Sequence, residues 1–286
     1  MKRELVSVNG CIVPLEIALV PVNDKGLMFG WGIFETIAVY REIPFLLERH
    51  IMRLKAAVEK IGINYNIDTQ ELSCMIEAYI KRAQIDSGVI RVTVTKGEAA
   101  VPNTIITCRE KTYNGMDYQT GFRLKCTSSR RNPASLLVGI KSLNYAENII
   151  EKEQAVKSGF NEALFLNIEG WVSECSSSNI FFIKNGQLHT PSKGCGLLEG
   201  ITAKFLEETI MPPENLKVIE GKFTLEDIYT ADEVFITNSV MEVMPVVGVD
   251  DVQIGNGVPG GLTRLLMDKY RGYVNSYIGK ARILDN

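Results

Sequence analysis

Lys141 stands in Val138-Gly139-Ile140-Lys141-Ser142-Leu143-Asn144-Tyr145, where an apolar strand, Val138–Ile140, is expected to meet a helix start. A lysine among apolar neighbours loses hydration, so its pKa falls and its amine becomes available for Schiff-base chemistry. The plainer reading is a lysine that reaches the surface along its aliphatic stem. Glu174 lies in Val172-Ser173-Glu174-Cys175, ahead of Ser176-Ser177-Ser178-Asn179. An acid that turns inward there needs a partner, whereas a loop carboxylate does not. Gly200-Ile201-Thr202 opens a helical run, where backbone N–H groups and the Thr202 hydroxyl can hold an anion. Thr237-Asn238-Ser239 closes a strand and offers similar donors. Two such chain ends and one arginine would make a phosphate cup; each alone is an ordinary cap.

Other chemistries lack their residues. The sequence has no G-x-S-x-G, no G-x-x-x-x-G-K-[ST] and no G-x-G-x-x-G after a strand. His50 and His189 are the two histidines, and both read as surface or capping residues. The six cysteines (Cys11, Cys74, Cys108, Cys126, Cys175, Cys195) form no C-x-x-C pair, so we expect no metal site. They read as small buried hydrophobes in a reducing cytoplasm. An enzyme without usable histidines relies on carboxylates, lysine or a cofactor.

The elements that must position these residues belong to a chain of 286 residues. At about 150 residues per domain, that is two domains or one large one. Hydrophobic residues make up 45% and charged residues 23%, which excludes a largely disordered chain. The net charge of −3 gives no global reason to bind nucleic acid or an anionic membrane. No apolar run approaches a membrane span, and the N-terminus does not read as a signal peptide.

Asn9-Gly10 predicts a hairpin turn between strands Glu4–Val8 and Cys11–Pro14. Ile33–Tyr40 and Ile43–Leu46 read as strands, and Leu47–Ile61 as a helix with Ile51, Leu54, Ala57, Val58 and Ile61 on its apolar face. Asp68 or Thr69 caps a second helix; Val89–Thr95 and Thr104–Arg109 are strands. The polar stretch Asn114–Gly121 reads as a linker. We therefore expect an N-terminal α/β domain over 1–113, a linker over 114–121 and a C-terminal α/β domain over 122–286 that carries Lys141. The second half predicts a strand at Phe122–Thr127, a helix over Asn144–Ser158, strands at Glu162–Asn167, Trp171–Ser173, Asn179–Lys184 and Glu233–Thr237, and helices at Thr202–Thr209 and Gly261–Tyr273. Elements mixed this irregularly predict an α+β fold.

The motifs, taken in order, resemble the class IV aminotransferases, the fold type IV pyridoxal-phosphate enzymes. They are Asp24-Lys25-Gly26 through Gly32-Ile33-Phe34-Glu35-Thr36, Glu48-Arg49-His50 with Arg53-Leu54, Lys141-Ser142-Leu143-Asn144, Glu174 with Ser178-Asn179, Gly200-Ile201-Thr202, and Thr237-Asn238-Ser239 before Val243-Met244-Pro245-Val246. The resemblance runs from about Val8 to Thr263. It implies a two-domain fold with pyridoxal 5'-phosphate between the domains, in a homodimer. It implies that Lys141 holds the cofactor as a Schiff base and shuttles the α-proton. Glu174 then pairs with the pyridine nitrogen, and Arg53, Ile201, Thr202, Asn238 and Ser239 serve the phosphate. Tyr145 lies near the position where some members place a tyrosine on the phenolic oxygen.

The branches of the family divide the remaining signal. Lys141-Ser142-Leu143-Asn144 and Ser176-Ser177-Ser178-Asn179 resemble the D-amino-acid transaminases. Gly97-Glu98-Ala99-Ala100-Val101-Pro102 stands where bacillus-type members carry an Arg-x-His pair, so that carboxylate trap is absent. Thr237-Asn238-Ser239 with Met244-Pro245-Val246 resembles the aminodeoxychorismate lyases, which release pyruvate and 4-aminobenzoate. Ile90-Arg91 resembles the arginine-bearing strand of the branched-chain aminotransferases, although their Thr-Gly-Thr-Ala-Ala turn is replaced here. The leading expectation is a transaminase for a D-amino acid and a 2-oxo acid, the lyase the alternative, and a branched-chain or other L-amino-acid transaminase the lesser one. Arg91 is the expected carboxylate contact, ahead of Lys96 and Arg109, because a planar guanidinium fits a carboxylate better than an ammonium does. Phe34 is expected to wall the substrate side chain.

Overall fold

Asn9 and Gly10 take positive φ values of 51° and 84°, the backbone of a tight hairpin turn. Strands Leu5–Val8 and Cys11–Pro14 pair across it, as the sequence predicts. The computed structural model describes residues 4–66, 68–99 and 101–284. Ala100, within the segment compared above with the Arg-x-His loop, lies outside the described residues. The fold is α+β, and the chain divides into two compact units.

The first unit comprises Met1–Thr112, Ile140–Asn144 and Val274–Asn286. Among the described residues, six strands form one antiparallel sheet in the order Cys11–Pro14, Leu5–Val8, Val101–Arg109, Ser87–Glu98, Gly32–Tyr40, Ile43–Pro44. Helix Leu47–Lys60 buries Leu47, Ile51, Leu54 and Val58, one stripe of its surface. Helix Thr69–Ala83 buries Leu72, Ile76, Tyr79 and Ile80. Asp68 caps it by accepting from the Gln70 and Glu71 amides. Asp24, wholly buried, caps the short helix Lys25–Phe29 and accepts from Thr95 Oγ1 and Asn103 Nδ2, each at 2.6 Å.

The second unit comprises Tyr113–Gly139 and Tyr145–Tyr273. Its mixed sheet runs Val218–Gly221, Gln187–Pro191, Asn179–Lys184, Glu233–Asn238, Glu242–Val249, Phe122–Arg131, Glu162–Asn167, Val172–Cys175, and Val252–Gln253 pairs with Glu242–Val249. Phe122–Arg131 and Glu162–Asn167 are parallel neighbours, and helix Ala146–Lys157 lies between them in sequence. Parallel neighbours require a crossover of this kind. Leu124, Leu164, Ile180, Phe182, Ile236 and Met244 are core residues of this sheet.

Several expectations change. Asn114–Gly121 is not an open linker: Gly115–Thr120 is helical, and Asn114 and Asp117 close a capping box around its start. Val138–Ile140 is not a strand, and the Lys141 segment belongs to the first unit rather than to a domain over 122–286. The reason is hydrogen bonding: the Phe34 amide donates to Lys141 O and the Leu143 amide to Gly32 O, both at 2.9 Å. The helix after Gly200 is α-helical over Ile201–Phe205 and widens to a π-helix over Leu206–Ile210. The C-terminal helix extends over Gly261–Leu284, with Val274 and Ile278 buried beyond its expected end. Cys11 and Cys74 are exposed, whereas Cys175 and Cys195 are buried. No helix among the described residues is long and apolar enough to cross a membrane.

Candidate active site

Strand Gly32–Tyr40 sends neighbouring side chains to opposite faces of the sheet. Phe34 and Glu35 are such neighbours, and each organises a different cluster. The Phe34 ring is 4% exposed. The Arg91 guanidinium carbon lies 3.6 Å from its centroid, and Lys141 Nζ lies 4.4 Å from it. Arg91 reaches this position because Thr36 pairs with Arg91, and Phe34 with Thr93, across adjacent strands. Arg91 Nε also donates to Thr93 Oγ1 at 3.2 Å. An aromatic face attracts both cations and holds a guanidinium and an amine in one neighbourhood. A guanidinium binds a carboxylate, and an amine condenses with a carbonyl. The sequence-predicted residues Lys141, Phe34 and Arg91 are thus brought together within the first unit.

On the other face, Glu35 meets two residues one helical turn apart on Leu47–Lys60. His50 Nδ1 lies 2.7 Å from Glu35 Oε2. Arg53 donates through Nε to Oε1 and through Nη2 to Oε2, both at 2.7 Å. Burial pushes the Glu35 carboxyl upward, but the Arg53 charge and hydrogen bonds from His50 and Arg53 outweigh it and hold the pKa at about 2. Burial pushes His50 below its usual range, against the pull of Glu35, with Arg53 and Lys141 adding to the depression. His50 is therefore a buried neutral imidazole, not the surface or capping residue expected. An ionised carboxylate only accepts, so the hydrogen bond assigns the His50 proton to Nδ1.

The second unit carries the other predicted residues. Glu174 is buried in strand Val172–Cys175 and accepts from the Leu198 amide at 3.1 Å. Tyr145 precedes helix Ala146–Lys157, and its hydroxyl donates to Ser176 O at 2.7 Å. Asn148 Nδ2 donates to the same carbonyl at 2.6 Å. Burial, then the charges of Glu174 and Glu162, push the Tyr145 phenol well above its usual range, so it stays protonated. Glu162 is wholly buried and accepts from the Ser176 and Ser177 hydroxyls, from its neighbour's amide (Ala163 N, 2.9 Å) and from Lys152 Nζ at 3.2 Å. Asn238 Oδ1 accepts from the Val240 and Met241 amides, and Nδ2 donates to Ser177 O. The Asn238 side chain thus shapes the turn that carries Ser239.

At Gly200, an added Cβ would meet Asn179 Oδ1 at 2.0 Å, so glycine permits this close approach. No side chain caps the helix that follows, which begins with Ile201 and buried Thr202. Thr237 Oγ1 is buried with no hydrogen-bond partner. These are the features of a backbone cradle for an oxyanion. His189 is not a surface cap: its ring stacks on Phe182 at 4.9 Å and meets Phe223 edge-on.

The family model for amino-transferase class IV matches residues 32–249. The chain belongs to the class IV aminotransferases. Its relatives span the family. It is 31% identical to a D-alanine aminotransferase of Staphylococcus epidermidis, over 95% of this chain and 98% of that one. It is 30% identical to an aminodeoxychorismate lyase of Bacillus subtilis, over 96% of each. The crystal structure of a branched-chain amino acid aminotransferase from Escherichia coli matches with a TM-score of 0.88 at 26% identity, covering 95% of this chain and 94% of that one.

Class IV aminotransferases use pyridoxal 5'-phosphate and act on amino and keto acids. Each unit of this class IV aminotransferase carries groups of the kinds that cofactor needs: the first an amine at Lys141 and a guanidinium held at Arg53, the second a carboxylate fixed at Glu174 and the uncapped helix start after Gly200. Sequence reasoning singled out neither Glu35, His50 nor Glu162 as a site residue. Glu35 lies inside the largely apolar strand Gly32–Tyr40 and Glu162 opens a strand directly before Ala163-Leu164-Phe165-Leu166, and a charge in or against such a run is the available signal.

Proposed function

We propose that this class IV aminotransferase moves an amino group between a D-amino acid and a 2-oxo acid. The observation that carries this reading is the Phe34 ring shared by the Arg91 guanidinium and Lys141 Nζ. It supports a substrate whose carboxylate docks on Arg91 while its amino-bearing carbon faces the lysine. The D-alanine aminotransferase relative, alike over 95% of the chain, supports the D-amino acid.

Pyridoxal 5'-phosphate, when bound, supplies the electron sink for the α-carbon. Lys141 would hold the cofactor and, once the substrate amine frees it, would take the substrate's α-proton at Nζ and give it back. Glu174, fixed by the Leu198 amide, keeps the pyridine nitrogen protonated. Arg53, Ile201, Thr202 and Ser239 bind the phosphate, Asn238 sets the turn of Ser239, and Tyr145 contributes a protonated phenol. Arg91 orients the substrate and Phe34 excludes water beside it.

The aminodeoxychorismate lyase reading is favoured by the Asn238-centred turn, which resembles that branch, and by the Bacillus subtilis relative, alike over 96% of both chains. One experiment separates the readings. The visible cofactor band of the purified protein is followed with D-alanine, D-glutamate, L-leucine and L-glutamate, beside an assay for pyruvate and 4-aminobenzoate from aminodeoxychorismate. Loss of the band with a D-amino acid, and formation of its keto acid, is the expected result. A response confined to L-amino acids overturns the stereochemical reading. Silent half-reactions with rapid 4-aminobenzoate formation make the protein a lyase.

We further infer a cytoplasmic homodimer. The run from Leu15 to Trp31 leaves Leu19 and Val22 each 81% exposed, Leu27 68% and Phe29 65%. An apolar run of this kind supports burial against a second copy. Light scattering that gives a monomer at micromolar concentration would refute it. The free cysteines suit a reducing compartment.

A further inference from the structure

Glu35 has no part in the chemistry described above, yet it is buried, ionised and bonded to three donor groups. A buried carboxylate pair is costly to assemble unless its remaining lone pairs are filled. Here Arg53 Nε and Nη2 fill one edge and His50 Nδ1 supplies a further donor. Glu35 and His50 are each 2% exposed, while the Arg53 side chain is 19% exposed. The arginine alone among the three retains substantial contact with solvent. Glu35, itself held by His50, fixes the plane of the Arg53 guanidinium.

We propose that Glu35 and His50 are positioning residues that orient Arg53 for the cofactor phosphate. The inference rests on the reading of Arg53 as a phosphate contact. Three features favour an orienting role over a fold contact. First, the Arg53–Glu35 bond is two-pronged, which sets the orientation of the fork as well as its distance. Second, His50 and Arg53 are three residues apart on one helix face, so the imidazole can pin against rotation the Glu35 Oε2 that also accepts from Arg53 Nη2. Third, His50 is kept neutral, so the cluster carries one negative and one positive charge. A phosphate then meets an arginine whose orientation is already set. A pre-oriented guanidinium loses less rotamer freedom when the phosphate binds.

A ligand pair that differs only in the phosphate tests this. The full chain is resolved from its cofactor and titrated with pyridoxal 5'-phosphate and with pyridoxal, following the visible band. Glu35→Gln is expected to weaken pyridoxal 5'-phosphate by about tenfold or more, the usual scale for losing a charge-assisted hydrogen bond, and to change pyridoxal by less than about threefold. His50→Ala should move the same ratio in the same direction by less, and His50→Asn should restore it, because an amide N–H can replace Nδ1–H.

A parallel fall for both ligands overturns the inference and leaves Glu35 a plain structural pair. An unchanged ratio in both Glu35→Gln and His50→Ala also overturns it. Arg53→Gln separates the two levels of the argument. If it leaves the ratio unchanged, the phosphate reading of Arg53 fails. If it shifts the ratio while the Glu35 and His50 variants do not, the phosphate reading stands and the positioning role fails. Should Glu35→Gln not fold, the His50 pair decides alone, since His50→Asn keeps the carboxylate and its arginine.

Discussion

Glu35 in the first unit is buried and Glu207 in the second is partly buried, and their acidities move in opposite directions. Burial raises each. At Glu35 the Arg53 charge and two hydrogen-bond partners more than cancel it, and the pKa settles at about 2. At Glu207 burial is joined by the like charges of Glu220 and Glu208, against one favourable lysine, Lys204, and the pKa rises to about 7. The difference lies in the sign of the neighbours, not in depth. The fully enclosed carboxylate is the more acidic one because the sequence supplies its partners one helical turn apart, at His50 and Arg53. Glu207 sits in the π-helix Leu206–Ile210 among acids. Glu35 on strand Gly32–Tyr40 is therefore matched by its partners, among them Arg53, the proposed phosphate contact, whereas the Glu207 cluster is electrostatically frustrated and has no assigned task.

The contrast predicts that function follows the first cluster. Lys141→Ala should give the largest effect, a loss of turnover of at least about 10^4-fold in a protein whose circular dichroism is unchanged, since a base and covalent anchor go together. Substantial residual turnover, with contamination excluded, would detach chemistry from the Phe34 neighbourhood. Glu35→Gln comes next. Breaking a buried charge pair from one side costs about 3–5 kcal/mol, so its melting temperature should fall by several degrees at neutral pH. The pH profile gives the sign. A carboxylate lowered from 4.5 to about 2 contributes stability that is complete above 4.5 and lost as pH falls through 2. The parent should lose melting temperature across that window, and the variant should be flatter there. Identical slopes would mean that Arg53 does not hold the charge.

Much of this was legible from residue types alone. The hairpin at Asn9-Gly10, the apolar stripe of Leu47–Lys60 and the Asp68 cap follow local rules that tertiary context did not overturn. The grouping of Lys141 with Phe34 was not legible from local patterns. It depends on hydrogen bonds between strand Gly32–Tyr40 and a segment more than a hundred residues later, and periodicity carries no information about such pairings. His50 was misread for a related reason. A helical Glu-Arg-His run looks solvated until the neighbouring strand supplies a carboxylate at Glu35. The Asn114–Gly121 stretch was misread because its polar residues are caps as well as turn formers, and the capping box decides between the two. The π-helix after Phe205 has no local signature that we can identify.

Arg91→Lys sharpens the contrast at intermediate size. Lysine retains the charge over Phe34 but loses the planar fork, so KM for a carboxylate-bearing substrate should rise about tenfold with a smaller change in kcat. A change in kcat alone would place Arg91 outside substrate recognition.

Glu207→Gln should give the smallest effect, and its sign is opposite to that of Glu35→Gln. A carboxylate raised to about 7 in the folded chain stays protonated there while the unfolded chain ionises near 4.5. Between those values the folded state binds more protons, so the cluster lowers stability as pH rises through the window, and above about 7 the penalty is complete. Glutamine removes the ionisable group and with it the penalty. Because Glu207 keeps contact with solvent, screening reduces the gain to about 1 kcal/mol or less. The melting temperature should therefore rise slightly at pH 8, be unchanged below pH 4.5, and leave turnover untouched at both. A fall in turnover without a gain in stability would mean that the frustrated acid serves the reaction, and that the sign of the neighbours does not separate working charges from idle ones in this fold.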